Sequence, residues 1–190
     1  MSKLRTVLVS LSICLPIVAF GDGMKPHGAL KGHPNLVAAE KDLNAAVASI
    51  DKSQKANECV FGLEGGHGEK AKEAIEAAQK QVWEAAEWAN THVKECAGNK
   101  GKKAGKIERM KLHGALKNHG NLVAAEKDLV NAHEHISMSQ EANECVFGME
   151  GGHGANAKEL IETAYKQVYE AAEYVNTHEN ECKEWMKKKH

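Results

Sequence analysis

Apolar residues recur every three or four positions along two neighbouring stretches of the chain. The first stretch runs from Leu36 to Val60 and the second from Ala71 to Cys96. Side chains at this spacing lie along one stripe of an α-helix. Four glycines between residues 62 and 68 separate the stretches, and glycine-rich segments end helices. The pattern therefore predicts two helices joined by a short turn, which makes the helices antiparallel.

This helical pattern occurs twice. A shift of 86 positions aligns His27–Cys96 with His113–Cys182 without a gap, and 49 of the 70 aligned residues are identical. HGALK at 27–31, for example, returns at 113–117. One hairpin would leave its apolar stripe half covered, so two hairpins are expected to pack together. We therefore predict an all-α protein made of two tandem antiparallel helical hairpins, forming an up-down-up-down four-helix bundle.

The N-terminal segment has a different character. Lys3 and Arg5 precede an apolar run from Val7 to Phe20, which is shorter than a membrane span and typical of a signal peptide. Cleavage after the small residue Gly21 would remove residues 1–21. We expect a periplasmic or secreted protein with no membrane span after cleavage, and an uncleaved anchor is the alternative.

The rest of the chain divides at a segment rich in glycine and lysine. GNKGKKAG at 98–105 is typical of a flexible linker. We expect repeat 1 at 22–97, a basic linker at 98–109 and repeat 2 at 110–190. Lys and Arg (25) nearly balance Asp and Glu (26), so the overall charge gives no reason to expect nucleic acid or an anionic membrane as a partner.

Cleavage would remove Cys14 and leave four cysteines at matching positions of the repeats. An even number of cysteines in an exported protein suggests disulfides. Within one hairpin, Cys59 and Cys96 would be roughly 35 to 40 Å apart, well beyond the ~7 Å limit for a bridge. With both turns at the same end of the bundle, we expect Cys59 to pair with Cys145 and Cys96 with Cys182. Pairs between two chains and metal ligation by the cysteines are the alternatives.

Histidine is unusually frequent, with 11 residues, of which eight match between the repeats. The base of the predicted bundle would gather four of them near Cys96 and Cys182. These four are His33, His92, His119 and His178. Converging imidazoles bind Cu, Zn or Ni. The alternative is that these histidines cap helices or hydrogen-bond across each hairpin.

Four other histidines give weaker indications of a binding site. His67 and His153 lie in EGGHG turns, where backbone amides at a helix start could hold an anion, or where the residues simply form a turn. His133 and His135 have no histidine at the matching positions of repeat 1, and we expect them to be surface variation.

Several activities find no support in the sequence. It contains no Gly-x-Ser-x-Gly, phosphate loop or dinucleotide fingerprint, so we expect no enzyme. The absence of Cys-x-x-Cys-His excludes covalently attached haem. We do not expect haem held non-covalently by two histidines or by Met24 or Met110, since these methionines lie outside the predicted helices.

Several short motifs resemble a known group of proteins. HPNL at 33–36, Ala-Asn-Glu at 56–58 and GGH at 65–67 precede AKE and Ala-Ala-Glu between Ala71 and Asn90. This order resembles small exported bacterial helical-hairpin proteins, which are similar in repeat style to the small metal-binding protein family of periplasmic His-rich bundles. The resemblance covers both repeats and implies binding of divalent metals. The chain departs from that family in having fewer histidines along its helices and four added cysteines.

Two hypotheses for the function follow. The first is an exported bundle that binds or buffers divalent or transition metal ions. The alternative is a non-catalytic, disulfide-braced structural or interaction module with a protein partner in the cell envelope. Either protein could be a monomer or a homodimer.

Overall fold

The computed structural model describes residues 28–56, 66–96, 114–142 and 152–188. Every regular element among these residues is helical, which confirms the all-α class. The α-helices are α1 (Pro34–Lys55), α2 (His67–Thr91), α3 (Val93–Cys96), α4 (Gly120–Glu141), α5 (His153–Thr177) and α6 (Glu179–Lys188), and 3₁₀ turns occupy Gly28–Leu30 and Gly114–Asn118. The four long helices α1, α2, α4 and α5 pack against one another.

Local sequence explains where the helices of repeat 1 begin. Pro34 is the first residue of α1, a position at which its missing N–H and fixed φ cost nothing. Gly32 reverses the chain just before it, with a φ of +100° that favours glycine. Helix α2 begins directly after Gly66, which is extended and accepts the first helical bond from the Lys70 N–H.

The predicted apolar stripes form the core. Leu36, Leu43 and Ile50 of α1 are fully buried, and repeat 2 buries the matching leucines and isoleucine. Alanine is the most frequent buried residue along α2 and α5. Larger buried side chains lie between the alanines, among them Ile75 and Val82 in α2 and Ile161, Tyr165 and Val168 in α5. Small side chains allow helix axes to approach closely, so α2 packs against α5 along much of its length.

Within repeat 1, α1 and α2 run antiparallel, as the glycine-rich turn predicts. Lys72, in the first half of α2, pairs with Asp51 near the end of α1 at 3.2 Å. Gln79, further along α2, donates to Asn44, further back along α1, at 2.8 Å.

The two repeats are also antiparallel to each other, which the sequence did not predict. His67 at the start of α2 lies 3.3 Å from Glu170, two thirds of the way along α5. His153 at the start of α5 lies 3.3 Å from Glu84, two thirds of the way along α2. If α2 and α5 were parallel, the first residues of α2 would contact the first residues of α5. The observed contacts therefore contradict the predicted up-down-up-down order, in which both turns lie at the same end of the bundle.

Contacts between α1 and α4 have the same sense. Asp42 lies 3.5 Å from His135, and Asp128 is hydrogen-bonded by Ser49. Asp42 and Asp128 are matching residues of the repeats, and so are Ser49 and His135. In each contact, an aspartate nearer the start of one helix meets a residue nearer the end of the other, so α1 and α4 are antiparallel. The physical reason for the error is that an apolar stripe specifies a buried face and leaves the direction of the partner helix open.

Several predicted segments lie outside the described residues. They are the signal segment 1–21, the linker 98–109 and residues 57–65 and 143–151, which include most of the glycine-rich turns. None of the described helices combines the length and the apolarity needed to span a bilayer.

Candidate functional site

The four histidines predicted to converge lie in two separate pairs. His33 and His92 are near the end of α2, whereas His119 and His178 are near the end of α5. Helices α2 and α5 are antiparallel and overlap only in part, because the start of each lies beside the residue two thirds of the way along the other. At 1.5 Å of rise per residue, the two pairs are therefore roughly 50 Å apart. The quartet is therefore not formed. Within the described ranges, no group of three or more His, Cys, Asp or Glu side chains is arranged to hold a metal ion.

His33 and His119 tie the two ends of their own hairpins together. The Nε2 atom of His33 is 3.1 Å from Oδ1 of Asn90, and that of His119 is 3.3 Å from Oδ1 of Asn176. The Asn90 amide nitrogen donates to the Ala29 carbonyl at 2.7 Å, so its oxygen must face the imidazole. The imidazole Nε2 therefore carries the proton and donates. These two residues match the alternative interpretation, a hydrogen bond across the hairpin.

His92 and His178 end the long helices of their repeats and stack on aromatic rings. His92 lies on Trp88 with ring centroids 4.3 Å apart, and His178 lies on Tyr174 at 4.2 Å. Each Nδ1 also contacts the backbone carbonyl of the same aromatic residue, at 2.9 and 3.0 Å. A carbonyl oxygen only accepts, so the neutral imidazole has its proton on Nδ1 and its lone pair on Nε2.

His67 contacts the other repeat through a side-chain amide and a carboxylate. Its Nδ1 is 3.0 Å from Oε1 of Gln167 and 3.3 Å from Oε2 of Glu170. The Gln167 amide nitrogen donates to Glu170 at 2.8 Å, which leaves the amide oxygen facing His67. Both neighbours of Nδ1 are acceptors, so Nδ1 carries the proton and Nε2 again has the lone pair.

His153 repeats this arrangement at the other end of the α2–α5 pair. Its Nδ1 is 3.0 Å from Gln81 Oε1 and 3.3 Å from Glu84 Oε2, and Gln81 donates to Glu84 at 2.8 Å. The side chains of His67 and His153 are 35% and 39% exposed, so solvent and solutes reach both. Sequence reasoning missed these partners because they lie in the opposite repeat. The signal available was a Gln and a Glu three residues apart, retained in both copies.

The anion hypothesis for the EGGHG turns is not favoured by this geometry. The Glu170 and Glu84 carboxylates lie next to His67 and His153, and negative charge there repels an anion.

His133 is not surface variation, contrary to the expectation from sequence. The residue is 3% exposed, and burial, followed by the positive charge of Lys158, lowers its pKa to about 4. Its place on α4 matches Val47 of repeat 1, a half-buried position against the core, and this match was the signal that sequence reasoning overlooked. His135 is one-third exposed and faces Asp42 of the other repeat.

Two buried glutamates also escaped sequence reasoning. Glu40 accepts a hydrogen bond from Trp83 Nε1 at 2.7 Å, and its counterpart Glu126 accepts one from the Tyr165 hydroxyl. Both carboxylates are about 5% exposed or less. Trp83 and Tyr165 thus each provide a hydrogen-bond donor to a buried carboxyl group.

The structure does not test the predicted cysteine pairs. Cys59 and Cys145 are outside the described residues, while Cys96 is the last residue of α3 and Cys182 lies within α6. The antiparallel repeats remove the premise from which the pairing was argued, and the state of the thiols stays a prediction.

Comparison of the chain with protein-family models, with curated proteins and with solved structures found no match.

Proposed function

We propose that this chain is an exported helical bundle that binds divalent transition metal ions reversibly through individual imidazoles. One observation supports this function: four histidines have Nδ1 bonded to a protein acceptor and Nε2 left as the lone-pair nitrogen. They are His67, His92, His153 and His178. Histidines that bind metals almost always donate their other ring N–H to a carboxylate, carbonyl or similar acceptor, which fixes the tautomer and the ring orientation.

The acceptors differ between the two classes of histidine. For His67 and His153, a side-chain amide oxygen and a carboxylate both lie beside Nδ1, and acceptors of this kind orient metal-binding imidazoles. For His92 and His178, the acceptor is a backbone carbonyl, and the ring is held against an aromatic face. Because two side-chain acceptors orient each of their rings, we expect His67 and His153 to bind metal ions more strongly than His92 and His178.

The expected affinity is modest. Tight structural metal sites use about four protein ligands, whereas each histidine here offers a single nitrogen among the residues that the structure describes. The remaining coordination positions would hold water. Weak and reversible binding of Cu, Ni or Zn suits a metal buffer, which releases its ion readily, better than a resident cofactor.

The test uses NMR of the imidazoles in the full mature chain. Long-range nitrogen–proton spectra are expected to show the Nδ1–H tautomer at His67, His92, His153 and His178, and the Nε2–H tautomer at His33 and His119. Substoichiometric Ni(II) or Cu(II) should then broaden the first set before the second. Broadening that begins at His33 and His119 would refute the assignment. So would the absence of binding at about 100 μM free metal, equivalent to about 5.5 kcal/mol of binding free energy.

Two matched sets of variants complete the test. Changing His67 and His153 to Gln should remove most of the calorimetric binding. Changing His33 and His119 to Gln should leave the binding intact, because their Nε2 atoms are already used as donors. Equal losses in the two sets would contradict the proposal.

A second candidate is the non-catalytic, disulfide-braced structural or interaction module. The observation that favours it is that His67 and His153 already hydrogen-bond the two repeats to each other. Thiol counting under denaturing conditions separates the candidates. No free thiol and no metal binding would favour the brace, whereas metal bound at the named imidazoles would favour the buffer.

We also propose the finer arrangement of the bundle: two hairpins related by a pseudo-twofold axis perpendicular to the helices, near Ile75 and Ile161. The matched contacts of His67 with Glu170 and of His153 with Glu84 support it. Spin labels on unnatural amino acids at the ends of α1 and α4 should be about 30 Å apart, from 1.5 Å of rise per residue. A separation near about 10 Å, the interaxial distance of packed parallel helices, would contradict it.

A further inference from the structure

His133 is a buried histidine found in only one of the two repeats. Its side chain is 4% exposed, and the matching position of repeat 1 holds Val47. Within the part of the chain that the structure describes, neither ring nitrogen has a hydrogen-bond partner. A neutral imidazole tolerates this surrounding far better than an imidazolium, because burial penalises charge.

The groups that face His133 do not stabilise a positive charge well. From α5, the Glu162 Oε1 atom is 3.4 Å from Nε2, but that carboxylate is 65% exposed and therefore strongly solvated. Lys158, also on α5, adds a positive charge. From α1, Asp42 is directed to His135 instead. The remaining element packed against α4 is the 3₁₀ turn Gly114–Asn118, which precedes the start of that helix, and its exposed Lys117 is not among the charges that act on His133.

The sign of the pH effect follows from these surroundings. The pKa of His133 is lowered from 6.5 to about 4, first by burial and then by Lys158. Between these values the unfolded chain binds more protons than the folded chain, so stability falls as the pH falls. The neutral His133 ring makes its full contribution to the free energy of unfolding above about pH 6.5, and this contribution is lost as the pH falls to about 4.

We propose that His133 makes the α4–α5 pair an acid-labile element, which loosens below about pH 6 while the α1–α2 pair, with Val47 in the same place, does not. The geometry behind this is a fully enclosed imidazole without hydrogen-bond partners, next to one lysine and one solvated carboxylate. The asymmetry is argued from one pair of matched positions, Val47 and His133, among the positions at which the two repeats differ.

Urea unfolding of the full mature chain at pH 7 and pH 5 tests the proposal. Wild type is compared with His133→Val, which installs the residue of repeat 1, and with the neighbouring control His135→Gln. From pH 7 to pH 5, the unfolding equilibrium constant of wild type should rise about 20-fold more than that of His133→Val. The His135→Gln variant should keep the wild-type pH dependence. An equal pH dependence of wild type and His133→Val would overturn the proposal.

Two measurements on wild type keep the proposal testable even if the valine variant does not fold. In NMR, the His133 ring should stay neutral at pH 5, and titration of this ring near pH 6.5 would overturn the proposal. Hydrogen exchange, corrected for intrinsic rates, should show a greater loss of protection at pH 5 in α4 and α5 than in α1 and α2. Equal losses in both hairpins would overturn it as well.

Discussion

The Glu126 carboxylate is expected to depend on a single hydroxyl for its stability in the core. Glu126 and Tyr165 are 4% and 6% exposed, and the tyrosine hydroxyl donates to Oε1 of the glutamate. The other carboxylate oxygen has no hydrogen-bond partner in the described part of the chain. The pKa of Tyr165 is raised, mainly by burial and then by this hydrogen bond, so the hydroxyl keeps its proton well into alkaline solution.

Tyr165→Phe removes this donor and leaves the shape of the core almost unchanged. Hydrogen bonds to charged groups contribute about 1.5 to 3 kcal/mol, and removing one partner leaves the other unsatisfied. We therefore expect a loss of about 2 to 3 kcal/mol in the free energy of unfolding. At about 2 to 4 °C per kcal/mol for a chain of this size, the melting temperature should fall by about 5 to 10 °C.

Urea unfolding followed by circular dichroism measures the loss at pH 7. In a double-mutant cycle with Glu126→Gln, the coupling energy between the two side chains should reach about 1.5 kcal/mol or more. Tyr169→Phe is the matched control, because its hydroxyl bonds to Glu173 on the solvent side and should not matter for the melting temperature. A Tyr165→Phe variant within about 0.5 kcal/mol of wild type, the range of ordinary surface substitutions, would refute the reasoning.

Three further predictions concern local features of the fold. The pKa of Asp128 is raised by burial and then by the Asp42 carboxylate, so Asp42→Asn should lower it, as measured by carboxyl-carbon NMR titration. Gly32→Ala should destabilise the chain by about 1 kcal/mol because of its positive φ, whereas Gly120→Ala, inside α4, should be neutral or stabilising in thermal melts. Leu43→Ala leaves a cavity at a fully buried position and should cost about 2 to 5 kcal/mol in urea unfolding.

Sequence reasoning predicted the features that depend on local patterns. The stripe through Leu36, Leu43 and Ile50 specified the buried face of α1, and α2 begins at His67, within the glycine-rich segment predicted to separate the two helices. The antiparallel direction within a hairpin followed from the short turn. These features depend on residues that are close together in the chain, so periodicity and helix-ending residues are enough to predict them.

The direction of one repeat relative to the other was beyond the sequence. The buried apolar residues of α2 and α5 do not by their pattern specify the direction of the partner helix, and a linker as long as 98–109 is compatible with either one. The direction depends instead on scattered polar contacts, such as His67 with Glu170 and Asp42 with His135. Such pairs form between residues far apart in the chain, so no local sequence pattern predicts them. The prediction that His33 and His119 lie close together was wrong for this reason.

The candidate metal-binding histidines occur at matching positions of both repeats, whereas the proposed acid-labile residue, His133, occurs only in repeat 2. Helix α5 takes part in both proposals. His153 lies on α5, and so do Gln167 and Glu170, which orient His67. Loosening of α5 through His133 would therefore disturb both inter-repeat sites at once, although His133 contacts neither. Acid also releases metals directly, by protonating the imidazole nitrogen that binds them. A chain with Val at position 133 keeps only the direct route, so its metal release should require a lower pH than that of wild type.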